Sequence, residues 1–242
     1  VRVLRDGNAT RSAVLEGLSW LQRSTEEEDL AVLFLAGHGV EDPLTGRGYY
    51  FLPADAGAQT PPAALLSGYD LQTALDAIAG QTLVLLDTCH AGGALGAGRG
   101  LSAAAPDRLG EQLKESSRIT MIAASKRYQV SRESPEWGNG AFTKGLIEGL
   151  SGKADSKRDG RVLGSELEGY LVDRVDQLTV HNQTPTVFKQ NAGDLVLALV
   201  PPPVYRRPWF WGALGALAAE VITSAVLLSL YPPDPPGTRQ LT

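Results

Sequence analysis

The sequence predicts an α/β domain, a mostly parallel sheet flanked by helices, with one further single helix at the C-terminal end. Two observations carry this. A continuous apolar run at residues 30–36 and largely apolar segments at 82–87 and 119–124 have the length and pattern of strands covered on both faces. Segments with helical spacing of apolar residues fall between and after them, and strands alternating with helices imply parallel pairing. The chain can bury such a core: 242 residues, 43% apolar and 20% charged, suit one sizeable packed domain plus an appendage.

In chain order, residues 1–4 (VRVL) read as the tail of a strand. Thr10 is a helix N-cap, and Val14, Leu15, Leu18 and Leu21 form the buried face of a helix reaching about Gln22. After the strand at 30–36 come a short strand in YYFLP, a helix near 71–79 and the strand at 82–87. Residues 91–110 are rich in Gly and Ala without periodicity and read as a mobile loop. Beyond the strand at 119–124, helices are expected at 141–150 and 165–178, and a last strand at 195–199. The domain therefore spans 1–200.

The segment 201–208, PPPVYRRP, is a Pro-rich linker. Residues 209–231 then form a 23-residue apolar stretch with aromatic residues at both ends, long enough for a bilayer core. Its strongly apolar side chains contribute about −3 to −5 kcal/mol to insertion, and Glu220 opposes them with about +2.5 to +3.5. The expectation is a single-pass transmembrane helix with a short tail at 232–242. Arg206 and Arg207 precede it and only Arg239 follows, which puts the domain on the cytoplasmic side. The chain starts at Val1 with no visible signal peptide, so it reads as a fragment of a longer protein.

The net charge of −5 and the lack of a basic, aromatic-interleaved patch give no reason to expect a nucleic-acid partner. One cysteine excludes an intrachain disulfide and a cysteine-based zinc site.

The chemistry concentrates in LFLAGHG, which carries His38, and LVLLDTCHAGG, which carries Cys89. Each apolar strand stops at a reactive side chain followed within three residues by glycine. Strand carboxyl ends are where ligand sites of parallel sheets collect. A free thiol is only a few per cent thiolate at neutral pH, so a nucleophilic cysteine needs a base. The imidazole of His38 can take that proton and return it to a leaving amine. The N–H groups of Gly39 and Cys89 could hold the oxyanion. His90 is the poorer base, because neighbours on an extended segment point to opposite faces. His181, ahead of a Thr-Pro turn, reads as an ordinary surface residue. Taken alone, Cys89 and His38 could each be satisfied structural residues; their pairing is what argues for chemistry.

AVLFLAGHGV and LVLLDTCHAGG resemble the two catalytic motifs of caspase-like cysteine peptidases, especially the bacterial and metacaspase-type branch, where they read SGHG and DxCHSG. GYYFLPADA and GAFTKGLIEGLSGKAD also look like this family. The separation of 51 residues between His38 and Cys89 is close to the roughly 50 expected in caspases. The resemblance covers about residues 1–200 and implies a caspase-like three-layer fold. It also implies a cysteine endopeptidase acting on proteins or peptides, with His38 as general base, Cys89 as nucleophile and no organic cofactor. Asp87 matches an acidic residue lining the S1 pocket of metacaspases. Caspases have glutamine there and cut after aspartate, so a carboxylate implies cleavage after Arg or Lys; a plain loop carboxylate is the alternative. Ala36 stands where the family usually has serine, and the family's first strand and helix have no counterpart before Val1. The rival reading is a catalytically silent caspase-like signalling or scaffold module.

Three weaker signals remain. Residues 155–166 fit a calcium-loop spacing except at loop position 3, where Lys157 stands, so a structural turn built on Asp159-Gly160 is expected rather than calcium. Arg99 and Arg108 are candidate self-processing sites for an enzyme that cuts after basic residues. Ser125, Glu133, Glu136 and Trp137 fall where the family places cleft loops, without individual roles.

Overall fold

The computed structural model describes residues 1–41, 48–57, 60–90, 106–125, 133–134, 139–189, 195–201 and 208–230; within these, the side chains of 89, 90, 133, 134, 139, 189 and 224–229 are left aside. The chain forms two units, 1–199 and 200–242.

In the first unit, helix α1 (Arg11–Ser24) starts where expected: the Thr10 hydroxyl accepts the Ala13 N–H at 3.3 Å, and Val14 and Leu18 are buried. Residues 1–5 form no strand; a 3-10 turn at Asp6–Asn8 precedes α1 instead. Strand β1 (Leu30–Glu41) leads to β2 (Tyr49–Leu52), β3 (Leu66–Ser67) and helix α2 (Gly68–Asp76). Helix α2 begins three residues before the apolar spacing suggests. A capping box explains this: the Asp70 N–H donates to the Ser67 hydroxyl while the Ser67 N–H donates to the Asp70 carboxylate, both at 3.0 Å.

Strand β4 (Gln81–His90) runs through Cys89. Helix α3 (Pro106–Leu113) corrects the loop expected over 91–110 at its C-terminal end, with Leu109 and Leu113 buried; residues 91–105 lie outside the described residues. Strand β5 (Ile119–Ala123) follows, then a hairpin of β6 (Glu133–Ser134) and β7 (Asn139–Gly140), and helix α4 (Ala141–Glu148), which runs into a π turn at Gly149–Lys153. The remaining elements are β8 (Arg161–Leu163), α5 (Gly164–Leu178), β9 (Thr186–Lys189) and β10 (Val196–Leu199).

The main sheet has six strands in the order β3-β2-β1-β4-β5-β9. Strands β1, β4 and β5 are mutually parallel, and β2, β3 and β9 are antiparallel to their neighbours. Strand β10 pairs with β8 in a separate two-stranded ladder rather than joining the main sheet. One face of the sheet meets α1, α2 and α3 through Leu35, Val84, Leu86 and Met121. On the other face Leu83 and Leu85 of β4 are each 3% exposed, whereas Val32 and Phe34 of β1 are 48% and 43% exposed. Cover on that face stops at β4, so the expectation of β1 buried on both sides holds for one face only.

Helices α4 and α5 are joined by an ionic cluster on Glu148. Arg174 donates to both carboxylate oxygens, at 2.9 and 3.1 Å, Tyr170 donates at 2.9 Å, and Lys153 and Lys144 approach to 3.0 and 3.5 Å. The hydrogen bonds from Arg174 hold the Glu148 carboxyl well below the ordinary 4.5, against the opposing push of burial. Burial and the same carboxylate raise the Tyr170 hydroxyl to about 12. A depressed carboxyl contributes stability above its unfolded-state value and loses it as pH falls toward the folded one. Glu148→Ala is therefore expected to cost about 2 kcal/mol at neutral pH, less than a fully buried pair because the lysines stay hydrated. The gap between wild type and variant should shrink as acid is added below pH 4.5, the carboxyl's ordinary value. Urea titrations at several pH values measure this.

In the second unit, helix α6 (Pro208–Leu230) forms where the apolar stretch predicts a helix, and Glu220 interrupts its apolar run. No helix among the described residues is long and apolar enough to cross a membrane. That overturns the single-pass anchor and, with it, the assignment of the domain to the cytoplasmic side. The cost of a mid-helix carboxylate already brought the insertion balance near zero. Of the linker and tail, 202–207 and 231–242 lie outside the described residues.

Candidate active site

Strand register assembles the site. His38 sits near the carboxyl end of β1, exposed, and its register partner on β4 is Cys89. Parallel strands lie about 4.8 Å apart, and residues opposite one another share a face. The register thus places positions 38 and 89 side by side on one face, with Ala36 opposite Asp87 two residues back. Position 90 falls on the other face, opposite Gly39, because side chains alternate along an extended strand. The His181 side chain is 80% exposed, and its Nδ1 lies 2.6 Å from the Asp176 carboxylate.

Gly39 is glycine for a reason the sequence alone did not reveal. A Cβ on residue 39 would lie 2.8 Å from Cε2 of Tyr49 and 3.1 Å from its hydroxyl. Tyr49 is 1% exposed and packs against β1 directly after His38. At Gly37 a Cβ would meet the Phe51 ring at 3.0 Å, and φ there is +156°. Two aromatic residues of YYFLP therefore shape the backbone on either side of His38. The Tyr49 hydroxyl is held in its neutral form by burial, with the Thr88 hydroxyl as its polar neighbour. Among the described residues neither hydroxyl meets full hydrogen-bond geometry, although the two are neighbours, and the same holds for Ser125, which is fully buried after β5.

Asp87 is half-buried on the His38 face, and its Oδ2 accepts the Thr143 hydroxyl at 2.8 Å. Ala36 beside it is exposed and offers no polar atom. Thr143 lies in the first turn of α4, within the GAFT stretch, and sequence reasoning assigned it nothing. The only signal available was that stretch's likeness to a family motif.

The turn at 155–166 uses its carboxylates internally. Asp155 accepts the N–H groups of Asp159 and Gly160 at 3.1 and 3.0 Å. Glu166 accepts the Ser156 hydroxyl and the N–H groups of Lys157 and Leu163 at 2.7 to 3.1 Å. Burial raises the Glu166 carboxyl, and those three donors outweigh it, holding it below its usual range. Gly160 takes φ +87° at the bend. These oxygens cap backbone rather than face a common centre, and among the described residues no group of three or more His, Cys, Asp or Glu side chains could hold a metal.

Arg108 lies within α3 and its Nε is 4.0 Å from Glu41. A protease that binds extended substrate would have to unwind α3 to cut there. Arg99, Glu136 and Trp137 are outside the described residues, and of Glu133 only its place in β6 is described.

A sheet whose central strands β1, β4 and β5 are parallel, packed with helices and carrying a histidine and the cysteine in register near the strands' carboxyl ends, marks an α/β domain with a candidate thiol–imidazole site. The family model described as Caspase domain matches residues 1–194, and the chain belongs to that family. The fold is similar to the crystal structure of protein GSU0716 from Geobacter sulfurreducens, at 19% identity and a TM-score of 0.54, covering 80% of this chain and 78% of that one. No curated protein matches the chain.

Proposed function

We propose that the chain is a cysteine endopeptidase that cuts proteins or peptides after Arg or Lys. The observation that carries the reading is the register pairing of His38 with Cys89 across adjacent parallel strands. Membership in the Caspase domain family supports peptidase chemistry at the level of the family.

In this reading His38 removes the Cys89 thiol proton and the sulfur attacks the substrate carbonyl carbon. The carbonyl electrons move to oxygen, held by the N–H groups of Gly39 and Cys89. As the tetrahedral centre collapses, the C–N bond breaks and the His38 imidazolium protonates the departing amine. Water then attacks the thioester, giving the new carboxylate and restoring the thiol. The basic preference rests on Asp87, a carboxylate two residues from the nucleophile on the His38 face.

Fluorogenic peptides differing only at the residue before the cut test this. Wild type is expected to turn over arginyl and lysyl peptides and to ignore aspartyl ones. Asp87→Asn is expected to lower kcat/KM for the arginyl peptide by on the order of 10²-fold, as when one partner of a desolvated charge pair is removed. An equal response to neutral and basic peptides overturns the specificity. The second reading, a catalytically silent module, draws on Ala36, which leaves the position opposite Asp87 without a hydroxyl. Cleavage of no peptide by the intact chain, with Cys89 unlabelled by peptidyl chloromethyl ketones, selects it.

A further inference from the structure

The Thr143 hydroxyl and the Asp87 carboxylate join at 2.8 Å two residues 56 apart in the chain, one on helix α4 and one near the end of strand β4. Both are half-buried. A carboxylate has about four acceptor sites, so it can take this bond and a substrate cation together. What Thr143 adds is direction: a donor fixed on a helix holds one carboxylate oxygen, Oδ2, and so restrains how the carboxylate turns. Helix α4 is itself anchored by the Glu148 cluster at its far end.

Resting on the proposal that Asp87 receives the basic side chain, we propose that Thr143 is a positioning residue that orients Asp87 for the planar fork of arginine. Arginine binds a carboxylate through two parallel N–H donors and depends on the carboxylate plane, whereas the lysine ammonium is a point charge that tolerates its rotation. Thr143 therefore favours arginine over lysine without touching the reacting atoms.

The experiment uses the full chain with Thr143→Val, which keeps the shape and loses the hydroxyl, Thr143→Ser, which keeps the hydroxyl, and Asp87→Asn. Affinity for otherwise identical peptide amides ending in Arg, Lys or norleucine is read by fluorescence anisotropy on a Cys89→Ala background, so turnover is not needed. Steady-state kcat and KM are read with Cys89 present. Thr143→Val is expected to weaken arginyl binding about 10-fold and lysyl binding about 3-fold or less, to raise KM in step, and to leave kcat within about twofold. Thr143→Ser is expected to restore the arginyl preference, which a merely structural tie would not require. If Asp87→Asn removes the basic preference while Thr143→Val keeps the wild-type Arg-to-Lys ratio, Thr143 only ties α4 to β4 and the inference fails alone. If Asp87→Asn leaves the preference unchanged, the Asp87 reading fails and takes the inference with it. Should Thr143→Val not fold, Thr143→Ala against Thr143→Ser gives the same comparison.

Discussion

Cys89→Ala is expected to lower peptide cleavage by on the order of 10⁴- to 10⁶-fold, the loss seen when a covalent nucleophile is removed and only binding and oxyanion stabilisation remain. His38→Ala should fall by a similar factor, and the double variant should be no worse than either single one, because the two act as one unit. His38 is exposed at a strand end, so its loss removes little packing. His38→Ala should keep its thermal midpoint within about 2 °C of wild type. Turnover of an arginyl peptide, paired with calorimetry, measures all of this. Activity that survives Cys89→Ala would place the chemistry elsewhere and remove the peptidase proposal.

Tyr49 offers the largest effect on folding, and a sharp contrast between two replacements. Its ring is buried against Gly39, next to His38 near the carboxyl end of the same strand. Tyr49→Ala empties that space and is expected to cost about 3–5 kcal/mol, the range for deleting a buried aromatic ring. In a unit of this size that lowers the thermal midpoint by about 10 °C. Tyr49→Phe removes only a hydroxyl that, among the described residues, meets no full hydrogen-bond geometry and has the Thr88 hydroxyl as its polar neighbour. An unsatisfied buried hydroxyl contributes nothing to offset its desolvation, so Phe should match wild type within about 1 kcal/mol or exceed it. Because the ring shapes the backbone next to His38, Tyr49→Ala should also reduce turnover at temperatures where the protein is still folded. Denaturant unfolding monitored by circular dichroism, run beside the peptide assay, separates the two effects. A large loss in Tyr49→Phe would mean that the hydroxyl is tied to Thr88 after all.

Much of the fold was legible because its signals are local. The three parallel strands, α1 with its Thr10 cap, and the helices near 141–150 and 165–178 follow from apolar spacing and capping chemistry. The misses have physical causes. Helix α3 hides in a Gly- and Ala-rich stretch where burial of Leu109 and Leu113, rather than propensity, makes the helix. Strand β9 follows the Thr-Pro turn with only four residues and exists because the edge of β5 accepts it. The open face of β1 could not be read from an apolar run, since the run is the same whether or not a helix covers it. The transmembrane expectation weighed length above the carboxylate at Glu220, and among the described residues no helix is long and apolar enough to cross a membrane.

At the site, the sequence by itself determined that a histidine and the lone cysteine stand where apolar strands meet glycine, with an aspartate two residues before the cysteine. Such features depend on neighbours a few residues apart, and short-range sterics and burial periodicity decide them. Only the tertiary structure decided that position 38 pairs with position 89, that Thr143 holds Asp87, and that Tyr49 makes Gly39 obligatory. Register and contacts between distant segments come from the summed packing of the whole sheet, where a slip of one residue moves every side chain to the opposite face.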